Sequence, residues 1–289
     1  MTAALAAMSR HAAAGRRRRD GRAMSSLERT LTVLDAFSLD ASVWTVDGLT
    51  AALGFTRSTT YRYVKELCAA GLLTPAGGGG YVLGPRIIEL DRQIRSCDPL
   101  LAASRSVMRE MLAAYGSDVL LLCRLFRDKV LCVHQERSGF ALDISYSRGR
   151  PMPLFRGATS KIMLAYLPER QAARLFLEHR REIATAGLGE EWPEFSASLR
   201  ALRRNGYCVS HGDVDKGAVG VGAPIFDRDR RLLGSLSRVM AEPDFSEARL
   251  PEIAGSVLEG ARRITENLAR LLRDDEDGAR PPALVDAAE

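Results

Sequence analysis

Two short amphipathic runs, separated only by Gly54, Phe55 and Thr56, constrain this chain more than any other feature. From Val46 onward, Leu49 and Leu53 fall on one helical face, with Thr45 placed as N-cap and Gly54 as terminator. A longer helical run follows from Arg57 to Ala70, and Gly71 stops it. Its inward side is Thr60, Val64 and Leu67, with Tyr63 on the flank. Two helices joined by a tight glycine-containing turn, the second about twice as long as the first, form the helix-turn-helix pattern. A helix also precedes them. Ser25 and Glu28 have capping-box spacing, and Leu27, Leu31, Leu34 and Phe37 recur at helical intervals until Asp40-Ala-Ser42 breaks the pattern.

The outward side of the third helix carries Arg57, Ser58, Thr59, Tyr61, Arg62 and Lys65. Between Asp47 and Glu66 there are three basic residues and no acidic one. Such a face alone is an ordinary solvated surface. With a helix and turn before it, Ser, Thr and Arg at a helix N-terminus suit phosphate contacts and base edges, so double-stranded DNA is the expected partner. A hairpin comes next: Leu72–Thr74 reads as a strand, Pro75–Gly80 as its tip and Tyr81–Leu83 as the return. This is the wing of a winged helix-turn-helix. Its glycines offer no side chain to read bases, so the wing is expected to position rather than specify.

Net charge needs locating before it is used. The whole chain carries +5, and residues 1–23 alone hold six arginines against Asp20, so the remainder balances. That Ala/Arg/Gly-rich tail lacks apolar periodicity and reads as disordered, either a basic arm or a segment upstream of a true start at Met24. There are only four lysines, so arginine is the default cation and a single arginine carries less weight. No apolar run approaches the ~18 residues of a membrane span, and no secretory pattern opens the chain. Five scattered cysteines argue against a disulfide framework and for a reducing, cytoplasmic setting.

Pro85–Cys97 reads as a linker helix with Ile87, Leu90 and Ile94 on one stripe, and a further helix runs from Pro99 to about Tyr115. Strand-like runs follow at Asp118–Phe126, Lys129–Gln135, Ala141–Tyr146, Tyr207–His211, Ala218–Phe226 and Arg231–Met240. Helices are expected at 158–167, 169–181, 194–204 and 245–273. Strands interleaved with peripheral helices indicate an α+β domain around a mostly antiparallel sheet. The expected organisation is a basic tail (1–23), the winged helix-turn-helix (24–84), a linker helix (85–98), an effector-binding domain (99–273) and a disordered tail (274–289). The second domain, at about 175 residues, is large enough for a full core and a small-molecule pocket.

Arg156-Gly157-Ala158-Thr159-Ser160 leads into one of those helices. A glycine-containing turn at a helix N-terminus exposes N–H groups and partial positive charge, and Arg156 can grip a carboxylate bidentately. A small organic acid, anchored by Arg156 and the backbone of Gly157, Ala158 and Thr159, is the expected effector. The alternative is an ordinary helix start beside a surface arginine.

With these elements in place the sequence resembles a known family. Ser26-Leu-Glu-Arg-Thr-Leu-Thr-Val-Leu34, Leu49-Thr-Ala-Ala-Leu-Gly54, Arg57-Ser-Thr-Thr-Tyr-Arg62 and Gly80-Tyr-Val-Leu-Gly84 are similar to the DNA-binding half of IclR-family bacterial transcriptional regulators. Gly149-Arg-Pro-Met-Pro-Leu-Phe-Arg-Gly-Ala-Thr-Ser-Lys161 with Leu167-Pro168, and then Gly206-Tyr207, Gly217 and Ala223-Pro-Ile-Phe-Asp227, resemble the effector half. The resemblance spans about residues 25–273 in order. It implies a GAF-like effector domain, no cofactor, a homodimer or dimer of dimers, and ligand-controlled repression, sometimes activation, of a catabolic operon. It further implies a pocket at the 156–159 turn and on facing strands. There Ser210 stands at the family's acidic position, Gly220 at its small one and Ser237 at a retained serine, while Val239 replaces a second serine.

Two other chemistries compete. Cys132 and His134 share a strand face by the period of two, and Cys208 and His211 lie on another strand, so a zinc site is the principal rival. Against it, the Cys208–His211 spacing puts those side chains on opposite faces. An enzyme would need an activated nucleophile. Ser160 lacks a nucleophile-elbow context, Gly77–Gly80 lacks the Lys-Ser/Thr of a phosphate loop, and Gly217–Gly222 reads as a strand.

Overall fold

The structure, a computed structural model, describes residues 24–115, 118–126, 129–139 and 142–276. The basic tail at 1–23 and the end of the chain from 277 lie outside the described residues. The chain divides into two compact units at Ser96/Cys97, so the linker helix belongs mostly to the first.

The first unit opens with α1 (Ser26–Leu34), where Ser25 and Glu28 complete the reciprocal capping box. A two-residue strand β1 (Trp44–Thr45) leads into α2 (Val46–Leu53), capped by the Thr45 hydroxyl and closed by Gly54 in the left-handed region (φ 70°). Helix α3 (Arg57–Ala69) and the hairpin β2 (Leu73–Ala76) and β3 (Gly80–Leu83) follow, and then α4 (Arg86–Cys97). β3 is central in a small antiparallel sheet, flanked by β2 and β1. β1 was not expected from sequence. It forms because Trp44 is buried, its indole N–H donating to the Ala36 and Ala41 carbonyls, which brings the backbone alongside Tyr81. The core also differs from the expectation on α1. Val33 is fully buried and Leu34 and Phe37 pack against the same cluster, whereas Leu27 and Leu31 are exposed, so only the later half of the expected apolar stripe faces the core of this unit.

The second unit is a six-stranded antiparallel sheet between two helical layers. Its strands are β4 (Val119–Phe126), β5 (Lys129–Arg137), β6 (Pro151–Met152), β7 (Cys208–His211), β8 (Ala218–Phe226) and β9 (Leu232–Ala241), in the order β6-β5-β4-β9-β8-β7. Alternation along β4 supplies both faces: Val119, Leu121 and Cys123 pack to one side, Leu120 and Leu122 to the other. α5 (Pro99–Tyr115) and α9 (Leu250–Glu276) cover the second face. α6 (Ala158–Ala165), α7 (Glu169–Thr185) and α8 (Trp192–Asn205) cover the first. α9 runs into the acidic segment placed in the C-terminal tail above, as far as Glu276.

The expected strand at Ala141–Tyr146 is not one. Residues 142–146 are irregular, and Ala141 lies outside the described residues. The apparent alternation is real, since Ile144 and Tyr146 are buried in the core, but no ladder accompanies it. The backbone N–H of Ser145 donates instead to Asp215 Oδ2 at 3.1 Å. β5 pairs next with the two residues of β6. A loop laid over a core, with every second side chain turned inward, mimics the strand period.

Candidate nucleic-acid interface and ligand-binding face

Local capping builds the exposed face of α3. Its N-cap is Thr56, whose hydroxyl accepts the Thr59 N–H at 3.3 Å and donates to the Thr59 hydroxyl at 2.9 Å. The inward side, Thr60, Tyr63, Val64 and Leu67, is buried, and the Thr50 hydroxyl donates to that of Thr60 at 3.0 Å, tying α2 to α3. Arg57, Ser58, Tyr61, Arg62 and Lys65 consequently stand exposed, while Thr59 is half-buried and engaged with the cap. The Arg62 guanidinium lies over the Tyr63 ring, 5.3 Å from its centroid, and Arg57 Nε lies 2.8 Å from Asp47 Oδ1. A cleft separates Asp47, Arg57, Ser58 and Tyr61 from Gly78 and Gly79 at the wing tip. Both tip glycines have φ of 71°, a conformation that admits few other residues.

The N-terminus of α6 is built differently. Its N-cap, Gly157, adopts φ 81°, ψ 150° and has no side chain to cap with. The β7–β8 region supplies what is missing. The Gly157 N–H donates to Asp213 Oδ2 at 3.0 Å and the Ala158 N–H to Ser210 Oγ at 2.9 Å. Lys161 Nζ also donates to Asp213 Oδ2, at 2.7 Å, and the Thr159 hydroxyl to that of Ser237 at 2.8 Å. Burial opposes ionisation of Asp213, but the hydrogen bonds from Lys161 and Gly157 outweigh it and hold the carboxyl below its ordinary range.

Small residues on the sheet let the helix approach this closely. A Cβ at Gly222 would lie 2.8 Å from Ser237 Oγ and 3.2 Å from the Ala158 carbonyl carbon, while one at Gly220 would touch Ser210 Oγ at 3.3 Å. The sequence-expected residues Gly157, Ala158, Thr159, Ser210, Gly220 and Ser237 are thus brought together. Arg156 is exposed, outside that packing. The two amides expected to receive an anion already donate to side chains of the same chain. Tyr146 and Ser160 add a further feature: both hydroxyls are buried without a hydrogen-bond partner. A Cβ at Gly157 would lie 3.9 Å from the Tyr146 hydroxyl, which places that group at this helix start. Burial, reinforced by Asp215, pushes the Tyr146 phenol well above its usual range, so it stays a proton donor at neutral pH.

Comparison with known proteins meets this geometry on both units. Residues 94–266 match the bacterial transcriptional regulator IclR C-terminal family, and residues 26–77 match the IclR helix-turn-helix domain. The chain belongs to the IclR family of bacterial transcriptional regulators. Among curated relatives, the HTH-type transcriptional regulator KipR of Bacillus subtilis is 24% identical over 242 residues, covering 83% of this chain and 95% of KipR. An IclR transcriptional regulator from Alicyclobacillus acidocaldarius shares the fold with a TM-score of 0.72 at 21% identity, over 86% of this chain and all of that one. An IclR homolog from Microbacterium hydrocarbonoxydans, solved in complex with 4-hydroxybenzoate, gives 0.63 at 22%, over 85% of this chain and all of that one.

The sheet order removes the geometric basis of the zinc reading. β5, with Cys132 and His134, and β7, with Cys208 and His211, are separated by β4, β9 and β8. At ~4.8 Å per strand that is roughly 19 Å, too far for one ion. Cys132 and Cys208 are core residues, and burial pushes the Cys208 thiol up to about 12. Among the described residues no helix is long and apolar enough to cross a membrane. Sequence reasoning missed Tyr146, Ser160 and the capping role of Asp213. Asp213 lies 56 residues from the amide it caps, a relation that no local pattern encodes.

Proposed function

We propose that this chain is a ligand-responsive DNA-binding regulator, most simply a repressor of a catabolic operon, that acts as a symmetric dimer or dimer of dimers. The observation that carries the reading is the open face of α3, where Arg57, Ser58, Tyr61, Arg62 and Lys65 project beside the wing while the opposite side is locked into the core. One such unit reaches one half-site, so two copies are needed for an operator. The linker helix α4 supports this, with Ile88, Leu90 and Ile94 exposed along it. Binding of the full-length protein to the intergenic DNA upstream of its own gene, followed by fluorescence anisotropy, tests the reading. Arg57→Ala and Arg62→Ala should each weaken binding by about 1–3 kcal/mol if they touch bases. Unchanged footprints in both variants would mean that another face binds.

The effector in this proposal is a small organic acid seated at the start of α6. Arg156 stands at the exposed rim for a carboxylate, Thr159, Ser210, Gly220 and Ser237 form the floor, and the unpartnered Tyr146 and Ser160 hydroxyls await polar groups. A buried hydroxyl without a partner costs about 1–3 kcal/mol, which a ligand oxygen would recover. The relative in complex with 4-hydroxybenzoate supports an acid that also carries a hydroxyl. Calorimetric titration with mono- and dicarboxylates, aromatic ones included, should find one that binds wild type and binds Arg156→Ala and Tyr146→Phe more weakly. Equal binding by both variants would move the site elsewhere.

A further inference from the structure

Arg57 opens α3, and Asp47 sits in the first turn of α2. Their side chains meet outside the core, with Arg57 Nε 2.8 Å from Asp47 Oδ1 and side-chain exposures of 75% and 71%. An ion pair this exposed contributes little to stability. The spacing of the two helices does not depend on it either, because buried Leu49 and Val64 and the Thr50–Thr60 hydrogen bond already hold α2 against α3. What the pair does is align the guanidinium, whose Nε edge lies against Asp47.

A guanidinium is planar and presents its donors along distinct edges. A carboxylate on the Nε side leaves the two Nη groups as a fork pointing away from Asp47. That fork matches the O6 and N7 acceptors that guanine displays in the major groove. Asp47 also opposes the competing use of Arg57: a phosphate oxygen approaching the fork meets a nearby carboxylate of like charge, whereas a base edge is neutral. The position suits base reading, since residues at the N-terminus of a recognition helix are those that reach base edges.

We propose that Asp47 is a positioning residue that presets Arg57 to read one guanine in each operator half-site. This rests on the DNA-binding reading above and adds to it the base that is read and the second residue that enforces the reading.

The test uses the full chain and the footprinted segment of its own upstream DNA, by anisotropy at fixed salt. Guanines are replaced singly by 7-deazaguanine, which removes N7, or by inosine, which keeps O6 and N7. In wild type, one guanine per half-site should show a loss of about tenfold or more with 7-deazaguanine and little change with inosine, as expected for a broken bidentate pair. Arg57→Ala should lose this N7 sensitivity. Asp47→Ala should reduce the penalty to roughly threefold or less while binding to unrelated duplex is unchanged or stronger, because backbone contacts carry no base identity. Asp47→Asn keeps an oxygen for Nε and should retain most of the discrimination. A full N7 penalty in Asp47→Ala, or no N7-sensitive guanine in wild type, overturns the inference and leaves DNA binding standing. Failure of wild type to bind the upstream DNA at low salt overturns both.

Discussion

The two helix N-termini proposed to meet DNA and ligand are made in opposite ways. α3 starts at Thr56, which caps its own first turn and leaves the neighbouring side chains in solvent. α6 starts at Gly157, which cannot cap, and its first amides are satisfied by Asp213 and Ser210 from the β7 edge of the sheet. A self-capped helix end can be presented to a large rigid partner without reorganising anything. One capped from a distance couples the helix to the sheet, so whatever displaces Asp213 or Ser210 moves both. The first design suits a reading head and the second a ligand-sensing joint.

On this contrast the larger effect belongs to α6. Asp213→Ala removes the acceptor of the Gly157 N–H and strands Lys161, whose side chain is only 14% exposed. A fully buried pair broken on one side costs ~3–5 kcal/mol, and partial solvent access at both ends lowers the expected loss here to about 2–3 kcal/mol. Denaturant unfolding measures it, and hydrogen exchange should show faster opening at Ala158–Lys161 with α3 unaffected. The pH dependence has a definite sign. The folded-state pKa of Asp213 is depressed, so its contribution is complete above the unfolded value of ~3.9 and is lost as pH falls through the lower folded value. The gap between wild type and Asp213→Ala should therefore be constant near neutrality and close in acid. A gap that widened as pH fell would contradict the assigned partners.

The same contrast explains what could be read from the chain alone. Ser25 with Glu28, Thr45 and Gly54 act within four residues of the helices they bound, and those helices fall where the pattern put them. Five of the six strands of the second unit were legible, because alternation and apolar runs report burial, whereas the two-residue β6 was not. Order and partners were not legible: β4 and β9, adjacent in the sheet, are separated by more than a hundred residues. The segment 142–146 shows the limit from the other side, since inward alternation marks contact with a core and says nothing about a ladder. On α3 every exposed residue followed from helical period and one turn. At α6 Gly157, Ala158, Thr159, Ser210, Gly220 and Ser237 were identified, but Tyr146, Ser160 and the cap from Asp213 were not, because the turn reads as an open anion site until Asp213 is brought to it by the fold.

A smaller effect sharpens the comparison from the α3 side. Thr56→Ala deletes the local cap and should destabilise the first unit by about 1 kcal/mol, within the range for loss of a Thr N-cap. Hydrogen exchange at Thr59 and Thr60 should rise while Ala158–Lys161 stays protected, the mirror image of Asp213→Ala. Because the cap is a single hydroxyl acting on its own turn, Thr56→Ser should restore nearly all of the loss, and operator affinity should follow the same order as the first turn that carries Arg57 and Ser58 frays and re-forms. The corresponding repair is unavailable to α6: a serine at Gly157 would have to hold φ 81° and would press its Cβ to 3.2 Å from Val214, adding strain to the missing carboxylate. Rescue of Asp213→Ala by Gly157→Ser would show that α6 can be capped from within its own turn after all, and the distinction between the two helix starts would be gone.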